Sequence, residues 1–119
     1  MQFLNRLFGG ATSGHQLSVA DYLERYAATK GSHTLVDVRT PGEFAEGTIP
    51  GALNIELGTL ETQLKKIPTD KPVVLFCRSG NRSGMAVGIL AQHGYSEVYN
   101  LGGVGGWVNA GKTLVKPRK

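Results

Sequence analysis

The sequence predicts an α/β domain with a mostly parallel central sheet and helices on both faces. Short apolar runs, which are typical of buried strands, alternate along the chain with segments of helical spacing. The connections between them are short, as in sheets built from strand–helix–strand units. At 119 residues the chain has the length of one ordinary domain.

Capping residues and apolar runs place the elements along the chain. Ser18 caps a first helix that ends before Gly31, and Thr59 caps a helix that runs to residue 66. Further helices are predicted at 41–46 and 83–93, and a short one contains Trp107. The predicted strands are 34–38, 52–57, 72–76 and 97–101. Because the sheet is parallel, we expect functional residues beyond the carboxyl ends of its strands.

The two ends of the chain differ in composition from the body. Residues 1–14 combine an apolar segment with a flexible Gly-rich linker, and residues 112–119 hold four of the thirteen basic residues. Without those four, nine basic residues stand against nine acidic ones, so the net charge of +4 comes from the tail. We therefore expect a domain at 15–111, a solvated basic tail and no nucleic-acid-binding face. The N-terminal segment either packs on the domain or a partner, or is disordered.

Cysteine content and hydropathy predict the compartment. Cys77 is the only cysteine, so no intramolecular disulfide can form, which favours a reducing environment. The N-terminus lacks the continuous apolar run of a secretory signal, and no stretch has the length of a transmembrane helix. We expect a cytoplasmic protein without stable membrane insertion. The three histidines have no metal-ligand spacing, so we expect no metal site.

The loop that begins at Cys77 carries the predicted chemistry. Cys77 follows an apolar strand and precedes a polar, Gly-containing turn that enters a helix. The N–H groups of such a turn and of a helix N-terminus converge on one anion, and they would hold sulfur as the nucleophilic thiolate. Gly80 and Asn81 tolerate the positive φ that a tight turn requires. The candidate substrate-binding residues are Arg78, Ser79, Gly80, Asn81 and Arg82.

Each of these residues also has a simpler interpretation. Cys77 could be an inert core thiol, but the polar residues directly after it favour a functional position. Arg82 lies in a first helical turn, where a cation opposes the helix dipole, so its position predicts an anionic partner. For Arg78, solvent exposure and substrate binding are about equally consistent with the sequence.

Asp37 and Arg39 are candidate supporting residues at the end of the first strand. Asp37 could hold loop backbone near the site, although a contribution to fold stability is the favoured interpretation. Arg39 is within reach of Glu43 across a short turn.

Several motifs, taken in order and at their spacing, resemble the rhodanese family over residues 15–111. They are Leu-Val-Asp-Val-Arg at 35–39, Pro-Gly-Glu-Phe at 41–44, Gly-Thr-Ile-Pro-Gly-Ala at 47–52, Cys-Arg-Ser-Gly-Asn-Arg-Ser-Gly at 77–84, and Leu-Gly-Gly at 101–103 before Trp107. The resemblance implies the rhodanese-like fold, a catalytic Cys77 and a six-residue loop that binds the sulfur substrate. Thr48 stands where the family commonly has His, and we expect activity to survive this difference.

The resemblance implies a thiosulfate sulfurtransferase that needs no cofactor. Sulfane sulfur would pass from thiosulfate or a persulfide donor to a thiol or cyanide through a Cys77 persulfide. One alternative is a persulfide carrier or sensing module that acts on a protein partner, such as a sulfur-relay protein. Another is a cysteine-loop phosphatase or arsenate reductase. Those enzymes place five residues between Cys and Arg, whereas four separate Cys77 from Arg82.

Overall fold

The computed structural model describes residues 15–117 and contains one four-stranded parallel sheet in that range. The strands are β1 (Thr34–Asp37), β2 (Leu53–Asn54), β3 (Val73–Cys77) and β4 (Val98–Gly103). Their order across the sheet is β2-β1-β3-β4, and every pairing is parallel. The predicted α/β class with a parallel sheet is therefore confirmed.

Helices cover both faces of this sheet. They are α1 (Val19–Tyr22, continued by a π-helical segment Leu23–Ala27), α2 (Pro41–Glu46), α3 (Asn81–Gln92) and α4 (Val104–Asn109). Side chains alternate between the faces of a strand. In β3, Leu75 and Cys77 accordingly pack in one apolar cluster with Leu90 of α3, and Phe76 packs in a second cluster with Trp107 of α4.

The carboxyl end of strand β3 holds Cys77, the residue predicted to carry the chemistry. All five of its residues are buried, as expected for a central strand between two covered faces. Its register with β4 shifts between Leu75 and Phe76, so that Cys77 lies opposite Gly103. The strand thus ends with a buried sulfur beside the glycine pair of β4.

Two predicted elements are wrong. The helix expected at 59–66 is instead a pair of 3₁₀ segments, Leu57–Thr62 and Leu64–Lys66, and Thr59 is not its cap. The Thr59 hydroxyl donates to the Glu56 carbonyl, and β-branched residues and Gly58 in this stretch disfavour a longer α-helix. The strand expected at 52–57 shortens to two residues at the sheet edge, because the 3₁₀ turn begins directly after Glu56.

Helix α3 begins two residues earlier than predicted. Gly80 occupies the N-cap position with φ 96°, a left-handed conformation that glycine adopts without steric cost. This turn lets Asn81 start the helix directly, so the N–H groups of its first turn lie next to the end of β3.

The described part of the C-terminal tail folds back on the domain instead of extending into solvent. Val115 and Thr48 exchange two backbone hydrogen bonds of 2.8 Å, and the Trp107 indole N–H donates to the Thr113 carbonyl at 3.0 Å. The division of the chain at residue 111 stays a prediction, and the expected N-terminal segment lies outside the described residues. Within residues 15–117, no helix combines the length and the apolarity needed to cross a membrane.

Candidate active site

Cys77 lies at the carboxyl end of β3, where the chain turns through residues 78–80 into α3. The turn is compact because glycines allow close approach of the backbone. A Cβ on Gly80 would lie 3.4 Å from the Cα of Gly102, and a Cβ on Gly103 would overlap the Arg78 carbonyl oxygen. The Leu-Gly-Gly motif thus forms the surface against which the turn packs.

The sulfur of Cys77 accepts hydrogen bonds from the turn and from the start of α3. The Gly80 N–H donates to Sγ at 2.9 Å, and the Ser83 N–H and hydroxyl each lie 3.4 Å from Sγ. Cys77 itself has no exposed surface. The predicted convergence of backbone donors on one sulfur is therefore the arrangement in the structure.

These donors shift the pKa of the Cys77 thiol. Burial raises the pKa, while the Ser83 hydroxyl and the N–H groups of Ser83, Gly80 and Ser79 lower it by more, so the net direction is downward. The sulfur is thereby held toward the thiolate, which is the nucleophilic form.

The two arginines of the loop pair with a carboxylate from α2. Arg82 donates to Glu43 through both terminal nitrogens, at 2.9 and 3.1 Å, and Arg78 lies 3.6 Å from the same carboxylate. The hydrogen bonds from Arg82, followed by the Thr40 N–H, lower the pKa of Glu43 to about 2. The position of Arg82 predicted a substrate anion as its partner, whereas the structure pairs its guanidinium with Glu43 of the same chain. The Arg78 side chain is 74% exposed, so it stands at the mouth of the loop.

Asp37 and Arg39 form a buried pair under the loop that follows β1. The Arg39 guanidinium donates to both carboxylate oxygens of Asp37 and also to the Gly47 carbonyl at 2.7 Å. The Thr48 hydroxyl donates to Asp37 Oδ2 at 2.8 Å. The expected contact between Arg39 and Glu43 is therefore wrong. Arg39 pairs with Asp37, and Glu43 pairs with the loop arginines. This geometry agrees with the fold-stabilising interpretation of Asp37, whose carboxylate is fully buried.

Not every predicted residue reaches the sulfur. Ser79 contributes its N–H, while Asn81 is exposed at the start of α3, and its side chain is not among the described donors to Sγ. Ser83 and Asn100 were not among the predicted site residues, yet their side chains bond to each other at 2.7 Å beside Cys77. The position of Ser83 three residues after Gly80, in the first turn of α3, was the one local signal for it.

Among residues 15–117 no three His, Cys, Asp or Glu side chains form a cluster that could hold a metal.

Comparison with known proteins agrees with this geometry. Residues 19–110 match the rhodanese-like domain family. A sulfurtransferase of Allochromatium vinosum is 45% identical over 84 residues, which cover 70% of this chain and 78% of that protein.

Solved structures give the same result. A rhodanese-related protein of Thermoplasma volcanium is 32% identical, with a TM-score of 0.76 over 87% of this chain and 99% of that one. A human single-domain sulfurtransferase is 29% identical, with a TM-score of 0.73 over 80% and 96% of the two chains. The chain therefore belongs to the rhodanese-like domain family of sulfurtransferases.

Proposed function

We propose that the protein is a thiosulfate-type sulfurtransferase in which Cys77 carries the sulfur as a persulfide. The observation that carries the proposal is the sulfur itself, which sits at a strand–helix junction and accepts hydrogen bonds from Gly80 and Ser83. A thiolate in this setting is a prepared nucleophile, and the same donors would hold the outer sulfur of a persulfide.

The reaction proceeds in two displacements. The Cys77 thiolate attacks the outer sulfur of thiosulfate, a new S–S bond forms, and the sulfur–sulfur bond of thiosulfate breaks with its electron pair leaving on sulfite. A thiolate acceptor or cyanide then attacks the outer sulfur of the Cys77 persulfide. The product leaves with that sulfur, and Cys77 is restored as thiolate. No proton or electron has to be supplied from outside, and ping-pong kinetics follow.

The turn at residues 78–80 controls access to the sulfur. Because Cys77 has no exposed surface while Arg78 and Ser79 are exposed, the donor approaches through this turn. Arg78 shares its carboxylate partner with Arg82 and is the more exposed of the two, so it is the arginine available to an incoming anion. We assign it to substrate binding, and we assign Arg82 to holding the loop on α2.

The test compares Cys77→Ser with the unaltered protein. Incubation with thiosulfate should add one sulfur to Cys77, detected by mass spectrometry, and subsequent cyanide should release thiocyanate. Cys77→Ser should remain folded and lose both signals. Thiocyanate formation at the unaltered rate by the variant would overturn the proposal. A persulfide that forms from a protein donor but not from thiosulfate would identify a sulfur carrier instead.

The same preparation distinguishes sulfur from phosphate chemistry. With four residues between Cys77 and Arg82, the loop encloses less space than a phosphate-binding loop that has five residues between its Cys and Arg. We expect negligible hydrolysis of aryl phosphates. Efficient hydrolysis that depends on Cys77 would contradict this loop-size argument and favour the phosphatase alternative.

A further inference from the structure

Asn100 links the three segments that surround the sulfur. It lies in β4 and is 6% exposed, and its amide makes three hydrogen bonds. Its Nδ2 donates to the Gly80 carbonyl at 3.1 Å, and its Oδ1 accepts from the Ser83 hydroxyl at 2.7 Å and from the Gly102 N–H at 2.8 Å. One side chain therefore bonds to the turn, to the first turn of α3 and to the glycine pair.

The backbone of Asn100 is fixed as well. Its N–H donates to the His15 carbonyl at 2.6 Å and its carbonyl accepts from the Leu17 N–H at 3.0 Å, on the side of β4 away from β3. The backbone of Asn100 is thus held on both sides, and the bonds of its side-chain amide to Gly80 and Gly102 orient Oδ1 toward Ser83.

The Ser83 hydroxyl cannot satisfy both of its neighbours at once. It lies 2.7 Å from Asn100 Oδ1 and 3.4 Å from Cys77 Sγ, but a hydroxyl has one proton to donate. While Cys77 is a neutral thiol, the shorter bond to Asn100 is the better one. When Cys77 becomes a thiolate, a charged acceptor competes for the same proton, and bonds to charged groups are stronger.

We propose that Asn100 is a positioning residue of the sulfur-transfer site, which competes with Cys77 for the Ser83 proton while it anchors the carbonyl of Gly80. The Ser83 hydroxyl is then a two-position donor. It points to Asn100 when the sulfur is neutral and to Cys77 when the sulfur is an anion, so forming the thiolate costs the Ser83–Asn100 bond. Asn100 acts through Ser83 and does not touch the substrate.

The charged side chains of the neighbouring elements pair with one another. Asp37 pairs with Arg39 at the end of β1, and Glu43 of α2 pairs with the two loop arginines, Arg78 and Arg82. Asn100 belongs to none of these ion pairs, and its replacement by another uncharged residue leaves the net charge around Cys77 unchanged. A change in the titration of Cys77 on such an exchange therefore reports hydrogen bonding.

A double-mutant cycle on the full chain tests the proposal. The pH dependence of iodoacetamide alkylation gives the pKa of Cys77 in the unaltered protein, in Asn100→Leu, in Ser83→Ala and in the double variant. Ser83→Ala should raise the pKa, because the thiolate loses a donor. Asn100→Leu has two opposing effects: it frees the Ser83 proton for sulfur, which lowers the pKa, and it releases Gly80, which raises it.

The cycle separates the two effects. In the Ser83→Ala background only the release of Gly80 remains. Asn100→Leu changes the pKa of Cys77 by one amount with Ser83 present and by another in the Ser83→Ala background. The first change should be more negative than the second by about 0.5 to 1 pKa unit, the value of one hydrogen bond. Equal effects in the two backgrounds, or a difference of opposite sign, would overturn the proposal.

A matched control is Asn54→Leu. Asn54 also donates from its amide to two carbonyls, that of Asp37 at the end of β1 and that of Arg39 just after it, but its amide does not bond to Ser83 or Gly80. The Asn54→Leu substitution should lower the stability measured in denaturant titrations and leave the pKa of Cys77 unchanged. If Asn100→Leu does not fold, Asn100→Ala takes its place in the cycle.

The inference rests on the proposed function only in treating Asn100 as part of a sulfur-transfer site. The coupling between Asn100, Ser83 and Cys77 does not depend on that function. Alkylation measures the thiol without any sulfur donor, so the coupling can be present in a protein that does not accept thiosulfate. Conversely, thiosulfate turnover without coupling would leave the proposed function intact and remove the role of Asn100.

Discussion

Gly103→Ala should damage the site through backbone contact alone. Gly103 lies opposite Cys77 in the sheet, directly under the turn that follows it. A Cβ at this position would overlap the Arg78 carbonyl oxygen and would lie 2.9 Å from the carbonyl carbon and 3.1 Å from the Cα of Ser79. Carbon atoms in ordinary contact lie about 3.5 to 4.0 Å apart, so the turn has to move by about 1 Å.

The size of the stability loss depends on whether the atoms that the new Cβ meets can move. Overpacking in a core costs about 1 to 3 kcal/mol, and the upper part of that range applies because the atoms in contact belong to backbone on both sides. A movement of about 1 Å is also enough to break the 2.9 Å hydrogen bond from Gly80 to Cys77 Sγ. We therefore expect the variant to lose about 3 kcal/mol in the free energy of unfolding. It should also transfer sulfur more slowly at a pH below the thiol pKa.

The assay combines urea unfolding with thiocyanate formation, and Gly105→Ala is the control. A Cβ on Gly105, in α4, meets no atom within 4 Å, and alanine favours a helix over glycine by about 0.8 to 1 kcal/mol. The control should be at least as stable as the unaltered protein and equally active. Unchanged stability and activity in Gly103→Ala would show that the close approach of β4 to the turn is not what holds the sulfur donors in place.

Two further predictions concern the ion pairs and hydrogen bonds that hold the loops. Glu43→Gln should reduce the free energy of unfolding at neutral pH by about 1 to 2 kcal/mol, less than the full pKa shift implies because Arg82 is 32% exposed. Since the folded-state pKa of Glu43 is about 2, the unaltered protein should keep this stabilisation above pH 4.5 and lose it as the pH falls toward 2. Urea titrations in which the unaltered protein and Glu43→Gln differ in stability by the same amount above pH 4.5 and near pH 2 would contradict this. Thr48→Val removes the hydroxyl that donates to buried Asp37 and should cost about 1 to 2 kcal/mol in thermal or urea unfolding, whereas an unchanged midpoint would exclude a role for that bond.

Local sequence determined the features that could be predicted correctly. The apolar run 73–76, the polar residues after it and Gly80 together define a strand, a tight turn and a helix start within a few residues. The described donors to the Cys77 sulfur come from the turn and from the first turn of α3, so the position of the candidate nucleophile followed from neighbouring residues. The continuous apolar run of β3 and the alternation of strands with helices along the chain likewise predicted a sheet covered on both faces.

Contacts between distant residues could not be predicted in the same way. Glu43 and Arg82 are 39 residues apart, and Ser83 and Asn100 are 17 apart. From the sequence, Arg39 could reach Glu43 across a short turn. The packing of α2 beside the loop instead brings Arg82 to Glu43. The 3₁₀ segments at 57–66 also depend on packing, because Leu60 is buried there against a long apolar cluster.

The loop arginines should contribute little to the activation of the thiol. Both pair with Glu43, so the net charge presented to Cys77 is smaller than two cations would give, and Arg78 is largely exposed, where water screens its charge. The donors that lower the pKa of Cys77 are instead the Ser83 hydroxyl and the N–H groups of the turn. We therefore expect Arg78→Ala and Arg82→Ala to shift the pKa of Cys77 less than Ser83→Ala does, as measured by the pH dependence of alkylation. Arg78→Ala should still raise the KM for thiosulfate, because it removes the cation at the mouth of the loop. A larger pKa increase in Arg82→Ala than in Ser83→Ala would mean that the guanidinium, and not the hydrogen-bonded turn, stabilises the thiolate.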